Sequence, residues 1–391
     1  MTDVATASTT ERDAAAGTAL GAQIAEQLNG RAANAVIVFT SPQNDYKALL
    51  GALQERCSPE LLVGCSSAGE FTAEAEGTGM SSAIALRADD MRFSASLATG
   101  ISSRRGEAGD DIVRGFVGVR SEGLRYRHRM ALLFVDALAG HTEELVNRLT
   151  TATGGGYRFM GGGAGDDGLF QRTHVFHGTD AHSDAAVALE ILSNKPFGIG
   201  ARHGWVPASD PMRVTEAADA CLVSLNVSPA VEAFAEHALA TRQRFDREQP
   251  MPFFLNNIVG VKSDDGHKLR VPLGMTAEGG VVCAADVPTG ATAHIMKTAA
   301  PDAADAAAAA TRDAVQQVKD SGHTPKAALF MDCVATRLRL GQEFSQELDA
   351  VRRALGDTPF AGFNSYGQIV RADGQFSGFH NCTAVVLVVP G

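Results

Sequence analysis

The sequence predicts an α/β protein of two mixed-sheet domains, built from strand–helix–strand units with appended antiparallel strands. Three observations carry this. Short apolar, strand-like runs at Ala35–Thr40, Ala131–Asp136 and Ala327–Cys333 are each followed by a segment of helical period and then by a second apolar run. Each second run ends in glycines: Gly64-Cys65-Ser66-Ser67-Ala68-Gly69-Glu70, Gly161-Gly162-Gly163-Ala164-Gly165-Asp166-Asp167 and Gly362-Phe363-Asn364-Ser365-Tyr366-Gly367-Gln368. Strand-like text trails every one of these turns. A strand–helix–strand order is most economically met by parallel strands joined by a right-handed crossover.

Length and composition set the frame. A chain of 391 residues has room for roughly two to three domains. Hydrophobic residues make up 45% and charged residues 20%, as in a globular protein with a sizeable core. The formal charge of −11 argues against nucleic acid or an anionic membrane as partner, because both need a basic surface. Cys57, Cys65, Cys221, Cys283, Cys333 and Cys382 are scattered without a Cys-x-x-Cys pair, the pattern of reduced thiols. With neither a basic, apolar leader nor an apolar run of about 18 residues, the expected location is the cytoplasm, without direct membrane insertion.

In chain order, residues 1–16 are small and polar and read as a disordered N-terminus. Leu20, Ile24 and Leu28 mark a helix from Gly17 to Asn29, which leads into the strand at Ala35. Tyr46, Leu49, Leu50 and Leu53 mark the crossover helix before Leu61 and the first glycine turn. Met80–Leu86 and Met91–Ala98 read as an antiparallel pair at a sheet edge. The second unit has its helix at Thr142–Thr150 and its second strand at Tyr157–Met160, then strands at Thr173–His177 and Ala185–Leu192. A domain boundary is expected near 215–245, dividing the chain into 17–225 and 226–391, with a connecting helix from Pro229 to Arg247. Strands follow at Phe253–Val261, Leu269–Met275 and Val281–Asp286, then an alanine-rich helix at Ala303–Val318. The third unit has its helix at Phe344–Leu355, and Phe379–Val389 closes the chain as a buried strand.

Several local patterns fail when weighed chemically. Gly163-x-Gly165-x-x-Gly168 matches the dinucleotide-binding spacing, but strand-like text follows where a helix is needed, and two aspartates inside the loop repel phosphate. Gly64 to Gly69 misses the spacing of a hydrolase elbow by one residue. Cys65 has no histidine nearby in sequence to serve as its base. His174 and His177, three apart on a strand, point to opposite faces and share no metal ion readily. Arg337 is an anchor for an anionic ligand group or a surface ion-pair partner. His203 beside Trp205, and His380 beside Asn381, have polar company, and a hydrogen-bonded structural histidine is the default for both.

Taken together with His203-Gly204-Trp205, Val214-Thr215 and His380-Asn381-x-Thr383, the three glycine turns make the chain resemble the FIST proteins, with N-terminal and C-terminal FIST domains, from about residue 30 to the end. The resemblance implies a sensory module of signal transduction that binds a small molecule, amino acids among the candidates. With no kinase, cyclase or receptor domain attached, its output is expected to pass to another protein. The NosP branch of the family binds haem and reports nitric oxide to a histidine kinase. On that reading haem is the cofactor and His203 or His380 its axial ligand; the sequence itself names no cofactor. Gln368 stands where the family usually has Glu. The expected ligand site is a cleft built from both domains by Cys65, Ser66, Ser67, Gly69, Glu70, Asp166, Arg337, Asn364, Ser365, Tyr366, Gln368 and Asn381, with Ser67 and Ser365 close together. The enzyme alternative, using Cys65 or the pair Glu70 and Asp166, lacks a complete nucleophile, base and orienting group. A non-catalytic sensor is therefore the expectation.

Overall fold

The computed structural model describes residues 2–120, 125–372 and 377–391. The chain runs three times through one pattern. The first pass is β1 (Thr2–Thr9), α1 (Asp13–Gln27), β2 (Ala35–Thr40), α2 (Tyr46–Cys57), β3 (Leu61–Ser66), the hairpin β4 (Glu70–Thr72) and β5 (Glu76–Gly77), and β6 (Ser81–Ala88). The second is β7 (Met91–Thr99), α3 (Arg105–Gly115), β8 (His128–Val135), α4 (Thr142–Ala152), β9 (Arg158–Gly163), the hairpin β10 (Val175–His177) and β11 (Asp180–His182), and β12 (Ala185–Ser193).

The third pass opens with β13 (Gly198–Arg202) and is then interrupted by an insertion. Its elements are β14 (Val206–Pro207), β15 (Met212–Ala218), β16 (Cys221–Leu225), β17 (Ser228–Pro229), α5 (Ala230–Thr241), α6 (Met251–Phe254), β18 (Ile258–Ser263), β19 (Gly266–Arg270), β20 (Pro272–Met275), β21 (Val281–Cys283) and β22 (Thr292–Lys297). The third pass resumes with α7 (Ala300–Asp320), β23 (Pro325–Cys333), α8 (Val334–Leu340), α9 (Phe344–Leu355), β24 (Phe360–Ser365), the hairpin β25 (Gln368–Arg371) and β26 (Gly378–His380), and β27 (Ala384–Pro390).

Each pass forms a sheet in one order: β1-β6-β2-β3, β7-β12-β8-β9 and β13-β27-β23-β24. In each, the two strands joined by a helix are parallel and the others antiparallel. The fold is thus mixed α/β, as predicted. The hairpin after each glycine turn does not pair with its own sheet. The first repeat's β4–β5 extends the third sheet, the second's β10–β11 extends the first, and the third's β25–β26 extends the second. This cyclic exchange ties the three repeats into one body. The insertion adds its own sheet, and the boundary expected near residue 225 falls inside it, between β16 and β17.

Alternation along the strands sorts the core into layers. Ile37 and Phe39 of the first repeat, Leu132 and Phe134 of the second, and Leu329, Met331 and Phe363 of the third face one another in a central core. Phe39 stacks on Phe363 with ring centroids 4.4 Å apart. The alternate residues face helices: Val36 and Val38 meet α1 and α2, Ala131 and Leu133 meet α3 and α4, and Ala328 and Phe330 meet α7 and α9. On α9 the buried stripe Phe344, Leu348, Val351 and Leu355 has the spacing of an amphipathic helix.

Two expectations need correction. Residues 2–9 are not disordered, because their backbone pairs with β6 over its whole length and buries Ala5 and Ala7. Small side chains hid that strand, since Thr, Ala and Ser carry little apolar signal. The strands at Met80–Leu86 and Met91–Ala98 do not pair with each other. One lies between β1 and β2, and the other pairs with β12 in the second sheet.

Candidate functional site

The recurring glycine of each turn has one physical cause. A Cβ on Gly64, Gly161 or Gly362 would lie 1.8 Å from the carbonyl oxygen of Val38, Leu133 or Phe330 on the neighbouring parallel strand. No other residue type fits there, and this fixes how the strand ends enter their turns.

Past these glycines the three turns close into a ring of backbone hydrogen bonds. Ala68 N–H donates to the Asn364 carbonyl at 3.0 Å, and Asn364 N–H to that of Gly69 at 2.8 Å. Gly165 N–H donates to Ser66 O at 2.8 Å, and Asp167 N–H to Ser67 O at 3.1 Å. Tyr366 N–H donates to Gly163 O at 3.0 Å, and Gly163 N–H to Gly367 O at 2.8 Å. Ser67 and Ser365 therefore sit in one assembly, both fully buried.

Most of the residues singled out from sequence hold this ring together. Ser67 donates to the Glu70 carboxylate, whose other oxygen accepts from Met80 N–H at 3.0 Å. In the third repeat Gln368 Nε2 donates to Ser365 Oγ at 2.7 Å, and Gln368 Oε1 accepts from Thr383 N–H at 3.2 Å. Glu70 and Gln368 perform the same task, tying a turn serine to the residue before the next strand. Burial pushes the Glu70 carboxyl up to about 8, against hydrogen bonds from Ser67 and Met80 that lower it.

Asp166 accepts from the N–H groups of Phe170, Gln171 and Arg172 at 2.7–2.8 Å and from the Tyr366 hydroxyl, so it organises its own loop. Ser66 Oγ accepts from His174 N–H at 2.9 Å. Asn381 Oδ1 accepts from Val271 N–H at 3.2 Å and joins the inserted sheet to the repeats. Cys65 faces the central core, and burial holds its thiol well above the usual range, the wrong direction for a nucleophile. The loop after Gly163 runs on to β10 without a helix, so the dinucleotide pattern has no structural counterpart.

The open part of the assembly is a cleft of about 450 Å³ where all three repeats meet. Ala68, Glu76 and Thr78 come from the first repeat, Asp167 from the second, and Val334, Arg337, Leu338 and Phe344 from the third. Gly69 must be glycine here, because its φ is 143° and a Cβ would lie 2.6 Å from Asn364 Oδ1 and 3.0 Å from Arg337 Nη1. Arg337 Nη1 donates to Asn364 Oδ1 at 3.1 Å, and its guanidinium carbon lies 5.2 Å from the Phe344 ring centroid. Among the described residues, Asn364 Nδ2 and Asp167 Oδ1 are buried without a hydrogen-bond partner. Arg337 and Asp167 thus line the cleft as its donor and its unspent acceptor, while the fully buried Asn364 lies behind Arg337 and is not part of the cleft wall. Of the residues expected from sequence to form the ligand site, Arg337 alone lines this cleft. Sequence reading passed over Asp167, which is distinguished from Asp166 only by which way each carboxylate turns.

The two histidines lie elsewhere. His203 Nε2 is hydrogen-bonded to the His267 carbonyl at 3.1 Å, and its Nδ1 accepts from Trp205 N–H at 3.3 Å. His380 is fully buried on β26, opposite Gln368. Among the described residues no group of three or more His, Cys, Asp or Glu is placed to hold a metal ion. No described helix is long and apolar enough to cross a membrane.

Residues 34–228 match the FIST N domain and residues 230–371 the FIST C domain. No curated protein matches the chain. Among solved structures, a chorismatase crystal structure is similar at 10% identity with a TM-score of 0.36, covering 100% of this chain and 98% of the other. PurLQS from Thermotoga maritima is similar at 11% identity with a TM-score of 0.25, covering 100% and 72%. T. maritima PurL complexed with FGAR is similar at 11% identity with a TM-score of 0.26, again covering 100% and 72%. Likenesses this distant carry no argument about activity.

Proposed function

Because the chain belongs to the FIST family, whose domains are sensory, small-ligand-binding domains of signal transduction, we propose that it senses a small molecule held in the three-repeat cleft, with Arg337 as the anionic anchor. The observation that carries this is the set of unspent groups. Arg337 offers donors to a carboxylate, and Asp167 Oδ1 offers an acceptor to an ammonium. A free amino acid presents both on one carbon. Its apolar side chain would meet Val334, Leu338 and Phe344. Site volume supports the reading too, since small-ligand pockets run to roughly 300–1,000 Å³.

Binding would bridge residues of all three repeats and so favour one relative arrangement of them. We assign the readout of that shift to a partner, a histidine kinase or another signalling protein, in the cytoplasm. A haem-based reading fits the residues poorly. Both His203 nitrogens are already engaged, and the apolar cavity beside Asn381 and Cys333 measures about 40 Å³, far below the size of a macrocycle.

A thermal-shift screen of the free amino acids against the full chain tests the proposal. The expected result is a rise in Tm with at least one amino acid, lost in Arg337→Gln while the unliganded Tm is kept. A rise unchanged in Arg337→Gln, or none with any amino acid, overturns it.

A further inference from the structure

One pair of side chains lies outside the ring and has chemistry of its own. Cys333 ends β23 at the N-terminal edge of α8, the helix that carries Arg337. Cys382 sits in the turn between β26 and β27, in left-handed backbone with φ 48°. Both are free thiols, buried in one cluster with Trp205, Leu269 and Val271. β23 pairs antiparallel with β27, Met331 opposite Val385, and carrying that register two residues past Met331 brings Cys333 beside the turn that holds Cys382.

The equivalent position in the other repeats holds an oxygen side chain with a structural task. Ser41 donates to Asp167 at 2.7 Å, and Asp136 accepts from Asp184 N–H at 2.6 Å and from Thr173 at 2.5 Å. Only the third repeat places sulfur there, with a second sulfur against it. Hydrogen bonding from Cys382 brings the Cys333 thiol down to about 7, while the same contact and burial raise Cys382. Cys65 and Cys283, equally buried without such donors, are pushed up.

Access is provided as well. Cys333 lines the cavity of about 40 Å³, together with Tyr366, Leu338 and Phe170. At roughly 10–15 Å³ for one water-sized occupant, that space admits a molecule of two or three heavy atoms.

We propose that Cys333 and Cys382 form a peroxide-responsive dithiol, with Cys333 as the attacking and Cys382 as the resolving sulfur. The Cys333 thiolate attacks one oxygen of hydrogen peroxide. The O–O bond breaks, an S–O bond forms, and the departing hydroxide takes a proton to leave as water. The Cys382 thiol then attacks the sulfenic sulfur, the S–O bond breaks, and a second water leaves as the disulfide forms. Two thiols lose two electrons and one peroxide is reduced to two waters. The product ties the start of α8 to the β26–β27 turn, and so bears on the helix that presents Arg337.

Trp205, the single tryptophan of the chain, shares the cluster and reports on it. The test uses the full chain with the more accessible Cys57 and Cys221 replaced by Ser. It is treated with hydrogen peroxide, then unfolded and alkylated with a maleimide. The expected result is a loss of two alkylated thiols, a peptide linking residues 333 and 382, and a fall in Trp205 emission, all reversed by dithiothreitol. In Cys382→Ala the reaction is expected to stop at the sulfenic acid, trapped by dimedone. Full alkylation after peroxide, or Cys333 driven to the sulfinic acid with Cys382 still alkylated, overturns the proposal. The mass readout on the parent chain decides even if Cys382→Ala does not fold.

Discussion

Glu70→Gln is the most informative single change, because the third repeat already shows the outcome. Gln368 performs the Glu70 task with an amide: it donates to Ser365, and Ser365 in turn donates to the Asp332 carbonyl at 3.1 Å. In the first repeat the Thr40 carbonyl holds the Asp332 position, as both residues pair with the second residue past the strand glycine. A glutamine at 70 therefore has every partner it needs. What the substitution removes is a titration. Glu70 is fully buried, and its carboxyl rises from an ordinary 4.5 to about 8. The folded state thus binds this proton more tightly than the unfolded chain does. Stability from it is complete below pH 4.5 and is lost as pH climbs through 8. Between pH 5 and pH 8 the linked loss is about 3.5 kcal/mol, at roughly 1.4 kcal/mol for each pH unit well inside the interval and less where the interval ends on a titration midpoint. Urea unfolding at pH 5, 6, 7 and 8 measures it. The difference in unfolding free energy between variant and parent should grow by about 3.5 kcal/mol toward pH 8, cancelling groups common to both. Parallel curves for the two proteins would refute both the buried, protonated Glu70 and its equivalence with Gln368.

Other outcomes follow from the same geometry. Gly362→Ala puts a Cβ 1.8 Å from Phe330 O and should cost more than about 3 kcal/mol or leave the chain insoluble. Gly106→Ala, in α3 with nothing within 4 Å, should be neutral or stabilise by up to about 1 kcal/mol in urea unfolding. Glu143→Gln leaves the buried Arg270 guanidinium, 2.9 Å from that carboxylate, without its charge partner at the junction of the inserted sheet and the second repeat. Its expected cost is about 3 kcal/mol in urea unfolding, and a change under about 0.5 kcal/mol would show the pair to be dispensable.

The fold class and the repeats were legible because they rest on local patterns. Parallel strands buried on both faces read as continuous apolar runs, and the strand glycines recur because a carbonyl fills the space of a Cβ. The helices at 46–57 and 344–355 followed from period alone. Of the site, Ser67, Glu70, Asn364 and Arg337 stood out through their turns and the strand before them. Of these, Arg337 alone lines the cleft, which was not readable, since Glu76, Thr78 and Phe344 reach it from separate elements.

Sequence by itself determined the three glycine turns, the parallel pairs that lead into them, and the exchange of carboxylate for amide between Glu70 and Gln368. Tertiary structure decided the rest. Hairpins β4–β5, β10–β11 and β25–β26 pair with another repeat's sheet through backbone groups, which look alike in every sequence and so leave no local mark of their partner. That pairing brings the turns into one ring. It also decides that Asp166 is consumed by its own loop while Asp167, one residue on, faces the cleft beside Arg337.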